Sequence, residues 1–180
     1  SNTDLLEIAD GSQTGLTLAG KNFSIGFWHR TQNTGNNNRN FVSKGSVAGS
    51  TGYYVNRIDT TNYLRIRIDS TNADSTVAMF INTAQHCCVV VDSTNGKVFP
   101  YLDGVSSNVI SVTATPTSTT TTFALGAVPA SNPDGWIDEV FVFSRVLTTA
   151  EIADIASNGL VAFIGAGGGV ADASYNFLVA

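Results

Sequence analysis

Short runs of alternating apolar and polar residues, separated by turn-forming residues, recur along the chain. In the clearest run, Leu64, Ile66 and Ile68 alternate with arginines. Period-two alternation places apolar side chains on one face of a strand, as in an antiparallel sheet that packs one face on a core. We therefore predict strands at residues 5–8, 16–18, 23–28, 41–45, 53–58, 64–68, 77–81, 87–91, 98–102, 109–112, 123–125, 137–143 and 175–179. We expect the last of these to return to the sheet near the first.

The segments between the strands carry signals of their own. Asn95-Gly96 and Asp103-Gly104 are dipeptides that favour tight hairpins, because both residue types tolerate positive φ. Residues 113–122 are nearly all Thr and Ser, which predicts an exposed extended loop or an edge segment.

One segment has helical spacing. Thr148 and Glu151 are spaced as in a capping box, apolar residues repeat at helical intervals from Ile152, and Asn158-Gly159 supplies a stop. This predicts two to three turns of helix, followed from about residue 160 by a Gly-rich tail. The pattern as a whole predicts a single all-β domain over residues 1–180, a sandwich of two antiparallel sheets with one short C-terminal helix.

Composition favours the same fold and excludes some partners. Hydrophobic residues make up 43% of the 180-residue chain and charged residues only 13%, about half the usual share of roughly 25%. The formal net charge is −5 and the pI is about 4.7. Nucleic acid and anionic membranes both require a basic surface patch, so we expect neither as a partner. No apolar run is long enough to insert into a bilayer.

The two cysteines, Cys87 and Cys88, are adjacent in a predicted strand. Neighbouring residues of a strand point to opposite faces, so we interpret them as free thiols in a buried strand. His86 precedes them, but the sequence has no second Cys/His cluster to complete a metal site.

Several short sequence motifs near the C-terminus, in a fixed order, are typical of a known protein family. Gly135-Trp136-Ile137-Asp138-Glu139-Val140 is followed by Arg145-Val146-Leu147 and by the predicted helix. This order resembles the laminin G-like jelly-roll family, within the concanavalin A-like lectin and glucanase group. Segments 23–28, 41–45 and 87–104 are similar to its earlier strands, although Gln85-His86 stands where the family often has Trp-His. The resemblance covers about residues 4–160 and implies a jelly-roll sandwich.

The glutamates are unsuited to glycoside hydrolysis. Glucanases with this fold use two closely spaced glutamates, one as nucleophile and one as acid. Here Glu7, Glu139 and Glu151 stand apart in the sequence, and Glu151 belongs to the predicted helix cap. His29 and His86 have no Ser or Cys partner in a recognisable arrangement. We therefore expect no enzymatic activity and no catalytic residue.

The resemblance also implies one structural Ca²⁺ ion, held in part by Asp138. Asp138 shares strand parity with Val140 and Val142, which we expect to face inward, so its charge requires a partner. We name Asp10 as a co-ligand, with Asp4 and Asp134 as further candidates. The alternative is that Asp138 pairs with an arginine or with backbone amides at a strand end.

Sugars bind proteins through aromatic platforms and planar polar groups. By alternation, one outward face can carry Trp28, Arg30, Tyr54, Asn56, Arg65, Arg67, Phe141 and Phe143. We predict that the first six of these bind a ligand. The alternative is that the aromatic rings pack under loops and the arginines are solvated or paired with Asp59 and Asp69. We interpret Trp136 as part of the sandwich core.

Two functions remain open on these observations. The first is a non-catalytic binding or adhesion module on a secreted or cell-surface protein, with a glycan or surface polysaccharide as its partner. The second is a structural or receptor-binding protein of a viral particle, such as a phage capsid decoration or tail-fibre domain. Such a protein self-assembles or contacts other particle proteins in the virion. The Ser-, Thr- and Asn-rich, Lys-poor composition suits both.

Overall fold

Two antiparallel sheets form the body of the computed structural model, which describes residues 6–13, 15–32, 39–46, 50–126, 135–166 and 175–177. The first sheet has the order β1 (Leu6–Ile8), β11 (Phe123–Leu125), β3 (Arg39–Ser46), β4 (Thr51–Arg57), β5 (Tyr63–Ile68) and β6 (Thr71–Ala78). The second sheet has the order β10 (Ile110–Ser111), β8 (Lys97–Leu102), β7 (Gln85–Asp92), β2 (Phe23–Thr31), β12 (Gly135–Phe143) and β13 (Tyr175–Phe177). A short strand, β9 (Val105–Ser106), pairs with β8. The predicted two-sheet antiparallel sandwich is confirmed.

Apolar side chains from both sheets fill the space between them. The inward residues of β2 and β5 alternate with outward ones, as predicted, and all of them are buried: Phe23, Ile25, Phe27, Leu64, Ile66 and Ile68. Leu16 and Leu18 are buried in the same core. They enter it from a loop, so the predicted strand at residues 16–18 is wrong.

Two further strand predictions need correction. The strand predicted at residues 77–81 lies earlier, as β6, where Ala73 and Ser75 are the buried positions. This edge strand is too polar to give a period-two hydrophobic signal, and Val77 is exposed. The last strand, β13, pairs with β12 in the second sheet, whereas β1 lies in the first sheet.

Two helices follow the last long strand. Helix α1 (Thr149–Asn158) begins at the predicted capping box, in which the Glu151 amide donates to the Thr148 hydroxyl and the Thr148 amide donates to the Glu151 carboxylate. Helix α2 (Leu160–Gly165) lies where we predict the start of a Gly-rich tail. Its apolar run is too short to show helical periodicity, so sequence alone gave no reason to expect it.

The helices bury a second group of apolar side chains against the outer face of the second sheet. Cys88 and Val90 of β7, together with Phe141 and Phe143 of β12, pack with helical residues such as Ile152, Ile155, Leu160 and Phe163. The part of the second sheet beneath the helices is therefore buried on both faces. The predicted free, buried thiols are confirmed, with Cys87 in the inner core and Cys88 under the helices. Burial raises the pKa of both thiols.

Gly26 of β2 permits this second layer to pack closely. A Cβ at Gly26 would overlap the ring of Phe141, which is held by the helical layer. We expect Gly26→Ala to lower the free energy of unfolding by about 1–3 kcal/mol, because a buried ring has little room to move. Urea denaturation measures this change. Gly11→Ala is the matched control, since nothing lies within 4 Å of a Cβ there. Equal stabilities of the two variants would contradict the packing described.

Candidate functional site

The outer face of the first sheet carries two cross-strand rows of polar side chains. From β3 to β6, one row contains Asn40, Asn56, Arg65 and Asp74. The adjacent row contains Ser43, Tyr54, Arg67 and Asn72. We call these eight residues the polar face. Among the described helices and strands, none packs over it.

Strand alternation places these groups on one surface. On β4 and β5, the residues between them, such as Val55 and Ile66, point into the inner core. Four of the predicted ligand-binding residues lie in the polar face, namely Tyr54, Asn56, Arg65 and Arg67. The other four members were missed because a short polar residue has no pattern of its own. Only the strand register brings Asn40, Ser43, Asn72 and Asp74 beside them.

The two arginines of the polar face are held differently. Arg65 forms a bidentate ion pair with Asp74, with Nε and Nη2 at 2.6 and 2.7 Å from the two carboxylate oxygens. Hydrogen bonding to Asp74 raises the pKa of Arg65. Arg67 donates to the Asp69 carbonyl oxygen at 2.8 Å and to the Ser50 hydroxyl at 3.0 Å, which are both neutral acceptors. The Asp69 carboxylate instead accepts from the backbone amides of Gly52 and Thr117.

The depth of the polar face differs across the sheet. Tyr54 is only 2% exposed, and its hydroxyl donates to the Thr51 carbonyl oxygen at 3.3 Å. Burial raises the pKa of Tyr54 to about 12, so the phenol is neutral at physiological pH. The side chains of Arg65 and Asp74 are 23% and 33% exposed. The accessible part of the face therefore lies on β5 and β6, over a recessed floor on β3 and β4.

The remaining predicted ligand-binding residues lie elsewhere. Trp28 and Arg30 belong to β2 of the second sheet, so they do not share a face with Tyr54 and the arginines of β5. Phe141 and Phe143 lie on that sheet too, and the helices cover them. The idea of one shared outward face is therefore wrong. Alternation predicts which side of a strand a residue occupies, but not which sheet contains the strand.

Part of the second sheet's outer face lies beyond the helices and carries both tryptophans of the chain. Trp136 pairs across the strands with Arg30, and Asp138 pairs with Trp28. We call these four residues the tryptophan patch. Trp136 is 42% exposed, so its assignment to the sandwich core is wrong. Trp28 is half-buried and packs on His86, with ring centroids 5.6 Å apart.

A β-bulge in β12 determines where these side chains point. The register with β2 shifts between Asp138 and Phe141, and Glu139 in the bulge has φ +48°. Trp136 and Asp138 therefore face outward, whereas Val140 and Val142 face the inner core. Our prediction that Asp138 shares the inward parity of the valines is wrong, because the extra residue reverses the alternation.

Glu139 itself is a structural residue. Its carboxylate accepts a hydrogen bond at 2.9 Å from the amide of Leu160, the first residue of α2. This replaces the side-chain cap that Gly159 lacks. Glu151 is engaged in the capping box of α1 and in an ion pair with Arg145 at 2.7 Å, which lowers its pKa. Two of the glutamates thus hold helix N-termini.

The described residues do not fit the calcium site that the resemblance implies. Asp10 lies beside the first sheet and forms an ion pair with Lys44 at 2.9 Å, whereas Asp138 lies on the second sheet and accepts from the Glu139 amide at 2.8 Å. The part of the chain that the structure describes contains no group of three acidic, Cys or His residues suited to a metal. Asp4 and Asp134 lie outside that part. Calcium binding stays a prediction, without Asp10 and Asp138 in one site.

Fold and surface together define a lectin-like β-sandwich with a partly accessible polar face on one sheet and an exposed tryptophan on the other. The sequence matches the laminin G-like family of the concanavalin A-like lectin/glucanases superfamily over residues 1–153, and the chain belongs to that family. The resemblance read from residues 135–152 is thereby confirmed. No curated protein matches the sequence. None of the described helices is both long and apolar enough to cross a lipid bilayer.

Solved structures share the fold at low sequence identity. A heptameric pentraxin from Limulus polyphemus aligns with TM-score 0.65 and 15% identity, over 80% of this chain and 74% of its own. Domain 4 of AbnA, an extracellular arabinanase from Geobacillus stearothermophilus, in complex with arabinotriose, aligns with TM-score 0.61 and 21% identity, over 76% and 67%. The binding domain of botulinum neurotoxin DC in complex with SialylT aligns with TM-score 0.65 and 17% identity, over 87% of this chain. This chain spans only 40% of that domain.

Two histidines of the second sheet are buried, and within the described part of the chain the ring of His86 has no hydrogen-bond partner. His29 faces the inner core, and its pKa is lowered to about 4 by burial and by the nearby Arg57. His86 lies between Trp28 and Phe141, and its pKa is lowered to about 4 by burial, an effect that Asp103 opposes.

The burial of these two histidines predicts that the folded protein loses stability in acid. Unfolded histidine has a pKa of about 6.5, so between about pH 6.5 and 4 the unfolded chain binds more protons than the folded one. The free energy of unfolding therefore falls as the pH drops through this window, by up to about 3 kcal/mol per histidine. Urea denaturation between about pH 7 and 4 measures the effect. We expect His86→Phe, which keeps the ring contacts, to remove about half of the loss attributable to the two histidines. If the free energy of unfolding of His86→Phe fell by as much as that of the wild type over the same pH range, this prediction would be contradicted.

Proposed function

We propose that this chain is a non-catalytic carbohydrate-binding module and that the polar face contacts the glycan. The observation that carries the proposal is the register of β3 to β6. It aligns amide, hydroxyl and guanidinium groups in two adjacent rows, and the members on β5 and β6, namely Arg65, Arg67, Asn72 and Asp74, remain accessible to solvent. Neighbouring sugar hydroxyls each donate and accept hydrogen bonds, and planar amide and guanidinium groups match such pairs.

The arginines supply the strongest of these contacts. Each guanidinium has five N–H donors, and each uses only two of them within the described part of the chain. The two acceptors of Arg67 are uncharged groups, and hydrogen bonds donated by a guanidinium group are stronger than those between neutral groups. Asp74 fixes Arg65 in place, so little conformational entropy is lost when the ligand binds.

The arrangement of the carboxylates favours a role in binding, because it does not suit glycoside hydrolysis. Of the eight residues of the polar face, Asp74 alone is a carboxylate, and it is already paired with Arg65. Glycoside hydrolysis requires two carboxyl groups on either side of the scissile bond. Glu139 and Glu151 are engaged at helix ends. Related structures with arabinotriose and SialylT bound give the proposal its ligand class.

The test is binding to an immobilised glycan array, followed by calorimetry with the strongest ligand. We expect Arg67→Gln to weaken binding about tenfold or more, because a hydrogen bond to a charged group contributes about 1.5–3 kcal/mol. Asn72→Ala, on the exposed part of the same row, should weaken it less. Lys21→Gln is the charge-matched control, since Lys21 is exposed on a loop outside the polar face.

Far-UV circular dichroism and thermal melting of each variant establish that the fold is retained. Equal affinities of the wild type and Arg67→Gln would show that the ligand does not bind at the polar face. Absence of binding to every glycan on the array, together with ordered self-assembly, would favour the alternative role in a viral particle.

A further inference from the structure

We infer that the tryptophan patch is a second glycan contact, separate from the polar face, and that it binds a pyranose or furanose ring by stacking. The inference takes its ligand class from the proposed function but depends on different residues. Trp28 and Trp136 occupy diagonal positions on the adjacent strands β2 and β12, with Arg30 and Asp138 at the other two corners. Diagonal neighbours of this kind are about 7–8 Å apart, close enough for large rings to form one surface.

The aromatic part of the patch is open to solvent. Trp136 is 42% exposed and Trp28 is half-buried, so the patch presents indole surface to solvent. An indole ring presents a wide flat face and a single N–H donor, which suits the C–H face of a sugar and its hydroxyls. Fully exposing such a ring is unfavourable in water, so covering it contributes to binding.

The polar part of the patch offers a donor beside an acceptor. Arg30 donates through Nε to the Asn82 carbonyl oxygen at 3.0 Å, which fixes its orientation and leaves its terminal N–H groups for a ligand. Among the described residues, Asp138 accepts only from the Glu139 amide, through Oδ1. A sugar hydroxyl both donates and accepts, so adjacent hydroxyls on a ring complement this pair. An apolar protein surface would leave both charges desolvated without partners, which is costly.

Neighbouring side chains on the same face hold the patch from one side. Trp28 packs against His86 on the adjacent strand, and His86 stacks on Phe141 with ring centroids 6.1 Å apart and an interplanar angle of 20°. Phe141 belongs to the core under the helices. The bulge at Glu139 directs Trp136 and Asp138 outward. A preformed platform of this kind loses little conformational entropy on binding.

The two contacts lie on opposite sides of the sandwich, because one is on the outer face of each sheet. A short oligosaccharide therefore reaches only one of them. A long polysaccharide, or two chains, can occupy both, and the module then gains from effective concentration.

Tryptophan fluorescence isolates the patch, because Trp28 and Trp136 are the two tryptophans of the chain. The probes are arabinotriose, xylohexaose, cellohexaose and an oligogalacturonate, each titrated into the protein by fluorescence and by calorimetry. We expect at least one probe to shift the emission and to protect the indoles from acrylamide quenching. Trp136→Ala, followed through the emission of Trp28, should weaken that binding about tenfold or more, as for an aromatic contact residue. Trp136→Phe should restore part of the affinity.

Phe80→Ala is the matched control, since Phe80 is an exposed aromatic residue outside the patch and its loss should leave the titration unchanged. Arg67→Gln should also leave the fluorescence titration unchanged. If calorimetry detected binding that Arg67→Gln abolished, and no probe changed the tryptophan emission, glycan binding at the patch would be rejected. Glycan binding at the polar face would then be supported. An emission change that depends on Trp136, with no effect of Arg67→Gln by calorimetry, would support the patch and overturn the polar face. No response to any probe by either method would overturn both.

Discussion

The single extra residue in β12 is the constraint on which much of this molecule depends. At Glu139 the strand turns through a positive φ, and from there on every side chain changes sides. Before the bulge, the outward positions carry Trp136 and Asp138; after it, they carry Phe141 and Phe143 beneath the helices. The same residue binds the first amide of α2 through its carboxylate. Glu139 thus lies between an exposed end and a helix-covered end of β12, and its carboxylate anchors α2, one of the covering helices.

The two sheets differ in what covers their outer faces. Where the helices cover the second sheet, both of its faces are buried, so its outward positions there must be apolar. The first sheet packs only its inner face on the described elements, so its outward positions are free to hold amides, hydroxyls and paired charges. This asymmetry explains how a chain with few charged residues still concentrates polar side chains on the outer face of the first sheet.

Much of the architecture follows from local patterns. The alternation from Leu64 to Ile68 and the capping box at Thr148 are signals contained within a few residues, and the structure confirms both. The features that sequence missed are those set by distant partners. Trp136 is outward because of its register with Arg30, and Asn72 belongs to the polar face because it lies opposite Arg67. Helix α2 depends on a cap supplied from another strand. Periodicity reports which side of a strand a residue occupies, but not the neighbour it meets there.

The adjacent pair Cys87 and Cys88 has a consequence for how the molecule opens. One peptide bond joins a thiol of the inner core to a thiol of the helical layer. If the helices detach while the sandwich stays intact, Cys88 becomes accessible and Cys87 remains protected; global unfolding exposes both together. The chain therefore contains two neighbouring reporters that distinguish local opening from cooperative loss of the whole fold. A disturbance of β7 also reaches both layers at once, so substitutions in the two cores should couple through this strand rather than act independently.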